Sequence, residues 1–306
     1  SKALSNVITR LSNEELFVIA GDVRRNLVWA LEKLCFHESC FEESANSLLL
    51  LASAENESWS NNATGKFKQL FGTFLSGTEA PPGLRMNVID SALGSSRDST
   101  RKVAVEALEQ AIDTYGGFRI IGAEYQGSGE PLNEWRPKVW GEAFEYWEDA
   151  LQRLCNLVVL HDVLAPVAKA SIASHIRSLM QYGRVDSLDN AIRKIVEVDG
   201  PLWPEALDRI KDSLLYEGDK MPAKEKEKLK DWISLLTPTD LGDRLKLYIT
   251  KPPYEHEKEE DGNYIDLAAE NAKALAMELS TNIDSILPHL DNLLTEMAPG
   301  VGLDPE

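Results

Sequence analysis

The chain has 306 residues, of which 43% are hydrophobic and 27% are charged, a composition typical of folded globular proteins rather than disordered ones. Fifty acidic residues against 32 basic ones give a net charge of −18 at pH 7. Such a chain repels phosphate backbones and anionic lipid headgroups unless it carries a concentrated basic patch. The densest basic stretch, 220–230, is interrupted by glutamates, so we predict neither a nucleic-acid partner nor a membrane partner.

The cysteine count and the absence of targeting segments indicate a reducing compartment. Three cysteines cannot form a complete disulfide framework. The sequence shows no secretory signal and no apolar stretch of the ~20 residues that span a bilayer. We therefore predict a cytoplasmic protein. Because the chain opens with Ser1 inside a helical pattern, we also expect it to be a piece of a longer protein.

The first segment, residues 1–114, shows apolar residues at helical spacing. One stripe predicts a helix whose buried face contains Val23, Leu27, Ala30, Leu31 and Leu34. Residues 82–113 read as two helices joined by a short turn, and the second resembles a HEAT repeat helix through Arg101, Ala104, Ala107 and Leu108. We predict an N-terminal segment of helical repeats.

The second segment, residues 115–137, is an aromatic-rich insertion that we predict to be a non-helical strap. Residues 115–147 hold three of the seven tryptophans, and aromatic and arginine side chains anchor many protein interfaces. The candidate binding residues are Arg119, Tyr125, Trp135, Arg136 and Trp140. The alternative is a strap that only packs its own aromatic rings against the adjacent helices.

Helical periodicity resumes in residues 138–250 and continues in an acidic C-terminal segment, residues 251–306. The first of these helices carries four carboxylates that we interpret as its solvated side: Glu142, Glu145, Glu148 and Asp149. Residues 255–261 form an acidic run, which is either a solvated loop or a steering surface for a basic partner.

About a dozen predicted helices and scarce strand signals indicate an all-α fold. The only strand candidate is residues 118–125. Many helices with short turns favour an irregular HEAT/ARM-like α-solenoid of helical hairpins, with one aromatic-rich non-helical insertion, over a compact helical bundle.

The motifs that would indicate catalysis or a cofactor are absent. The sequence has no phosphate-binding loop, no dinucleotide fingerprint and no serine nucleophile elbow. Cys35, His37 and Cys40 form at most half of a zinc site. We therefore predict no enzyme, no cofactor and no metal. The alternatives are a compact all-α hydrolase or transferase that uses acids around Glu124, Glu130 and His161, and a structural spacer.

Three stretches resemble a family of very large bacterial proteins. They are the run 70–82 followed by Arg85 and Asp90, residues 122–127 with 135–137, and residues 252–257. They are similar to the helical region of STAND-type NTPases and related anti-phage defence proteins. In that family an effector and a P-loop NTPase precede a helical-repeat sensor. The resemblance implies a sensor or spacer, and no nucleotide-binding residue carries over.

Together these observations favour a non-catalytic protein-binding or sensor/scaffold module. Its partner would be another protein, or other domains of a longer cytoplasmic bacterial defence or signalling protein.

Overall fold

The computed structural model describes residues 2–115, 133–250, 256–258 and 264–297. These residues form fifteen α-helices and one short two-stranded ribbon, so the predicted all-helical character is confirmed. The chain divides into two compact units, Ser1–Ser187 and Leu188–Glu306. The division into four segments that the sequence suggests, at residues 1–114, 115–137, 138–250 and 251–306, stays a prediction.

The first unit contains nine of the helices described. They are α1 (Lys2–Ile8), α2 (Asn13–Val18), α3 (Gly21–Phe36), α4 (Glu38–Ser53), α5 (Ala63–Gln69), α6 (Pro82–Leu93), α7 (Asp98–Ile112), α8 (Trp140–Val159) and α9 (Ala165–Gln181). Helices adjacent in sequence pack as the pairs α3–α4, α6–α7 and α8–α9. Helix α7 also contacts α4 and α5, which precede it in the chain, and α8 and α9, which follow it.

Small residues explain how α7 can pack against so many neighbours. Ala104, Ala107 and Ala111 have no exposed surface, and Leu108 between them is also fully buried. Alanine side chains allow helix backbones to approach closely, while leucine fills the remaining space at native packing density. The helix pair predicted between residues 82 and 113 is present as α6 and α7.

The buried face of α3 differs from the predicted stripe. Val23 is 64% exposed, whereas Arg24 is fully buried. The Arg24 guanidinium donates to four carbonyl oxygens, those of Leu16, Ile19, Leu51 and Ala54, at 2.6 to 3.2 Å. These carbonyls end α2 and α4, where the last turn of a helix lacks internal donors. A charged residue therefore occupies the core face of α3. The apolar stripe alone predicted the wrong rotation of α3 about its own axis, because it placed Val23 in the core.

The second unit contains the remaining six helices of the described residues. They are α10 (Val185–Asp199), α11 (Pro204–Glu217), α12 (Ala223–Leu236), α13 (Leu241–Leu245), α14 (Leu267–Thr281) and α15 (Leu290–Met297). Shorter turns of 3-10 helix lie at Gly218–Lys220 and Ile283–His289, and a π-helical turn lies at Lys246–Thr250. Leu245, Leu275 and Leu293 form a buried cluster in the C-terminal part of this unit.

The ribbon in the second unit was not predicted. Strands β1 (His256–Lys258) and β2 (Tyr264–Asp266) pair antiparallel, with Glu257 opposite Ile265. Three-residue strands are too short to show the alternation of apolar and polar residues on which strand prediction depends. The predicted strand candidate at 118–125 lies outside the described residues.

Candidate functional site

Three of the five candidate binding residues lie in the described part of the chain. Trp135 and Arg136 belong to an extended segment that leads into α8, and Trp140 is the first residue of that helix. Arg119 and Tyr125, together with Glu124 and Glu130 of the enzyme hypothesis, lie outside the described residues.

Backbone and side-chain hydrogen bonds fix the end of the predicted strap. The Trp135 amide donates to the Thr78 carbonyl oxygen at 2.8 Å, and the Gly77 amide donates to Glu134 Oε1 at 2.6 Å. The Asn133 amide donates to Glu79 Oε1 at 3.4 Å. Residues 133–135 are therefore held against the loop between α5 and α6, which places the Trp135 ring.

Arg85 supports the Trp135 ring from inside the first unit. Arg85 is fully buried, and it donates from Nε to the Ala80 carbonyl and from Nη1 to the Gly72 carbonyl, at 2.8 and 3.0 Å. Its guanidinium carbon lies 5.0 Å from the Trp135 ring centroid and 5.9 Å from that of Tyr146, within the range of cation–π attraction. Burial lowers the pKa of Arg85, although an arginine side chain stays protonated.

Tyr146 forms the second aromatic contact of Arg85 and is itself buried in α8. Its hydroxyl donates to the Phe71 carbonyl oxygen at 2.9 Å. Burial raises the pKa of Tyr146, so the phenol remains neutral and keeps its proton for this hydrogen bond. Tyr146 thereby connects α8 to the same loop that holds Trp135.

A group of aromatic rings continues along α8 from its first residue. Trp140 is 53% exposed and contacts the rings of Phe144, Phe74 and Tyr182, with centroid distances of 5.3 to 6.1 Å. Trp147, two turns after Trp140, is buried and donates from Nε1 to Thr73 Oγ1 at 2.8 Å. The aromatic group therefore has a buried end at Trp147 and an exposed end at Trp140.

A cavity of about 830 Å³ opens beside these rings and is called here the α8 groove. Its lining combines aromatic and charged side chains: Pro82, Trp135, Glu142, Phe144, Glu145, Tyr146, Glu148, Asp149, Gln152 and Arg184. Arg184 follows α9, and its guanidinium carbon lies 3.7 Å from the centroid of the Phe144 ring. Four carboxylates and one guanidinium therefore line the same groove.

One of these carboxylates belongs to an ion-pair network. Arg153 Nη1 lies 2.5 Å from Asp149 Oδ1, and the same guanidinium donates from Nε and Nη2 to both oxygens of Asp90 at 2.7 and 2.9 Å. The hydrogen bonds to Asp90 raise the pKa of Arg153. Glu145 and Glu148 are exposed and have no ion-pair partner among the described residues. Glu142 also lacks an ion pair among these residues, so three of the four lining carboxylates carry negative charge that no cation of the described chain offsets.

The structure separates the candidate residues that the sequence grouped together. Trp135 lines the α8 groove, and Trp140 stacks on Phe144, which lines it. Arg136 is mostly exposed, lies 3.5 Å from Glu134 Oε2 and does not line the groove. Sequence analysis therefore identified Trp135 in the groove lining and Trp140 next to it, whereas Arg136 lies outside the lining.

The solvated side of α8 also forms a wall of the α8 groove. Glu145, Glu148 and Asp149 are exposed, and together with Glu142 they line the groove beside Phe144 and Trp135. Their spacing was the available signal, because Glu142, Glu145, Glu148 and Gln152 lie three or four residues apart and share one helix face. No sequence pattern indicated that Arg184 and Pro82 belong to the groove, because only tertiary packing brings them to α8.

His161, the described residue of the enzyme hypothesis, lies in the turn between α8 and α9. It has a φ of +52° and does not belong to the α8 groove lining. Its amide donates to the Val158 carbonyl oxygen at 2.9 Å, so its backbone position closes the end of α8.

Cys155, one of the three cysteines, is buried on α8.

Comparison with protein-family models, with curated proteins and with solved structures finds no match to this chain. Among the residues described, no helix is both long enough and apolar enough to cross a membrane. No group of three or more His, Cys, Asp or Glu side chains in the same residues is placed to hold a metal ion.

Proposed function

We propose that the chain is a non-catalytic protein-binding module whose recognition surface is the α8 groove with the adjacent Trp140 ring. The observation that carries this proposal is the convergence of Trp135, Phe144 and Arg184 on one open groove. Tryptophan, tyrosine and arginine contribute disproportionately to binding energy at protein interfaces. Here Trp135 and Phe144 lie nine residues apart, and helix packing brings Arg184 to them from beyond the end of α9.

Preorganisation supports this role for the α8 groove. Trp135 is held by its backbone bond to Thr78 and by the guanidinium of Arg85 beneath its ring. Phe144 is held between Trp140 and Arg184. Rings that are already fixed lose little conformational entropy when a partner binds, so more of the contact energy is retained as affinity.

We further propose that the first unit is an irregular HEAT/ARM-like solenoid. The pairs α3–α4, α6–α7 and α8–α9 follow one another in sequence, and α7 contacts helices of both neighbouring pairs. Solenoids bind partners on surfaces formed by successive repeats. In this proposal the chain is the sensor or scaffold part of a larger cytoplasmic bacterial defence or signalling protein, as its resemblance to STAND-type NTPases implies.

Substitution of the groove aromatics tests the proposed function. The immobilised chain is used to recover partners from a lysate of the native host, and the affinity of a recovered, purified partner is then measured. The Trp135→Ala/Arg136→Ala double variant and the Trp140→Ala variant are each expected to weaken that affinity by roughly tenfold or more, because aromatic interface anchors contribute about 2 kcal/mol each.

Trp59→Ala provides the matched control, since Trp59 is 50% exposed in the same unit and does not line the α8 groove. This variant is expected to bind like the wild type, and all variants are expected to keep wild-type helicity by circular dichroism. Undiminished partner binding by folded Trp135 and Trp140 variants would exclude the α8 groove as the recognition surface.

A further inference from the structure

We infer that the α8 groove binds a cationic peptide segment, one that presents lysine or arginine side chains, of a partner protein. This inference rests on the proposed function, because it specifies the chemistry of the partner that the groove would recognise. It is argued from the charges that line the groove, from the faces of its aromatic rings and from its size.

The charge of the groove selects a positive occupant. Glu142, Glu145, Glu148 and Asp149 line it, against Arg184 as the one lining cation. Asp149 shares the Arg153 guanidinium with Asp90, and the Glu142 side chain accepts from the Lys138 backbone amide at 2.8 Å. Glu145 and Glu148 are left to pair with charges that a partner brings. An acidic or phosphorylated segment would face like charges, which cost binding energy and slow association.

The aromatic rings of the groove already bind cations of this chain. The guanidinium of Arg184 lies over Phe144 at 3.7 Å, and that of Arg85 lies over Trp135 at 5.0 Å. The electron-rich faces of such rings attract ammonium and guanidinium groups. Because Arg184 and Trp140 already cover the Phe144 ring, the ring surface left for a lysine or arginine side chain is that of the half-buried Trp135, beside carboxylates that meet its charge.

The size of the groove suits a short segment of chain. Its volume of about 830 Å³ is within the range of roughly 300 to 1,000 Å³ that is usual for sites enclosing a drug-sized ligand. A few side chains of an extended or helical peptide fill such a space. The groove is open rather than enclosed, so its size admits such a segment, and the charge of its lining favours a basic one.

The test uses the full chain and two fluorescein-labelled peptides, nona-arginine and nona-glutamate, with binding measured by fluorescence anisotropy. The decisive variant is Glu145→Lys/Glu148→Lys, which reverses two exposed lining carboxylates that have neither an ion pair nor a hydrogen bond among the described residues. We expect nona-arginine to bind and nona-glutamate not to bind. We expect the double reversal to weaken nona-arginine binding by roughly tenfold, because it replaces two attractive exposed charges with two repulsive ones.

Glu38→Lys/Glu42→Lys is the matched control. Both residues are exposed on α4 in the same unit, so this variant changes the net charge equally without altering the α8 groove. It is expected to weaken nona-arginine binding by less than about threefold, the effect of long-range charge alone. Equal losses in the two double variants would show that the peptide binds diffuse negative charge, and the inference would be wrong.

The same variants separate this inference from the proposed function. If the recovered partner loses affinity with Trp135→Ala/Arg136→Ala but not with Glu145→Lys/Glu148→Lys, the groove is the recognition surface and the cationic occupant is wrong. If neither variant weakens the partner, both proposals fail. If nona-arginine competes with the partner, and the partner loses affinity for both double variants, the result supports the proposed function and the cationic occupant.

Discussion

Arg85 shows how a single buried charge can position a half-buried ring at the surface of a groove. Its guanidinium is held by the Ala80 and Gly72 carbonyls, and its face supports Trp135. A lysine at this position has no planar group and cannot reach two carbonyls in different directions while lying flat under an indole. The geometry of the α8 groove therefore depends on a side chain that does not line it.

We predict that Arg85→Lys destabilises the first unit by about 3 kcal/mol, since hydrogen bonds to a buried charged group contribute about 1.5 to 3 kcal/mol each. The measurement is urea denaturation followed by circular dichroism. Arg136→Lys is the control, because Arg136 is mostly exposed, and it should change the free energy of unfolding by less than about 0.5 kcal/mol. Similar losses in both variants would contradict the assigned role of Arg85.

At the scale of elements, Asp189 connects α10 to α12 in the second unit. Its carboxylate accepts from Trp232 Nε1 at 2.7 Å, from Lys228 Nζ at 3.0 Å and from Arg193 Nε at 2.9 Å. Burial raises the pKa of Asp189, but the hydrogen bonds from Trp232 and Lys228 and the charge of Arg193 outweigh burial and lower it. The ionised form is thus the one that holds the two helices together.

We predict that Asp189→Asn costs roughly 1 to 2 kcal/mol of stability at pH 7, because an amide keeps an acceptor for Trp232 but loses the charge that attracts Lys228 and Arg193. Asp186→Asn is the control, an exposed carboxylate on the same helix. Because the pKa of Asp189 is lowered on folding, its contribution is complete above the pKa of an unfolded aspartate and is lost as the pH falls below about 4. The stability difference between wild type and Asp189→Asn should therefore shrink in acid, and a difference that stayed constant would contradict this assignment.

At the scale of the whole molecule, the chain consists of two compact units with separate cores. Ala104 and Leu108 belong to the core of the first, whereas Leu245, Leu275 and Leu293 belong to that of the second. Chains with more than one domain commonly unfold in more than one step. We predict two transitions in differential scanning calorimetry, the first unit's lowered by Arg85→Lys and the second unit's by Asp189→Asn. A single transition shifted by both variants would contradict this prediction.

Helical periodicity was sufficient to predict most of the elements but not all of their faces. The pair α6–α7 follows from the spacing of apolar and small residues in 82–113. The face of α3 could not be predicted in this way, because Arg24 occupies a core position through hydrogen bonds to carbonyls that only the folded chain brings together. The β1–β2 ribbon has three-residue strands, which carry no detectable pattern.

The site was predictable only where its residues are neighbours in sequence. The density of aromatic residues identified Trp135 and Trp140, and helical spacing could have identified the carboxylates of α8. Pro82 and Arg184 lie far from Trp135 along the chain, so their presence in the same groove follows from helix packing alone. The exposure of Arg136 likewise depends on the hydrogen bonds that orient its neighbours.

The burial of Arg24 also has a consequence for cooperativity. Its four acceptors come from two places in the chain, the end of α2 at Leu16 and Ile19 and the end of α4 at Leu51 and Ala54. A collapsed state in which α2 has docked but the end of α4 has not would bury the guanidinium without the Leu51 and Ala54 carbonyls and without Glu55, whose carboxylate lies 3.3 Å from Nη2, at a cost of several kcal/mol. Arg24 thus raises the free energy of partly assembled forms of the N-terminal helices, which favours docking of the ends of α2 and α4 together.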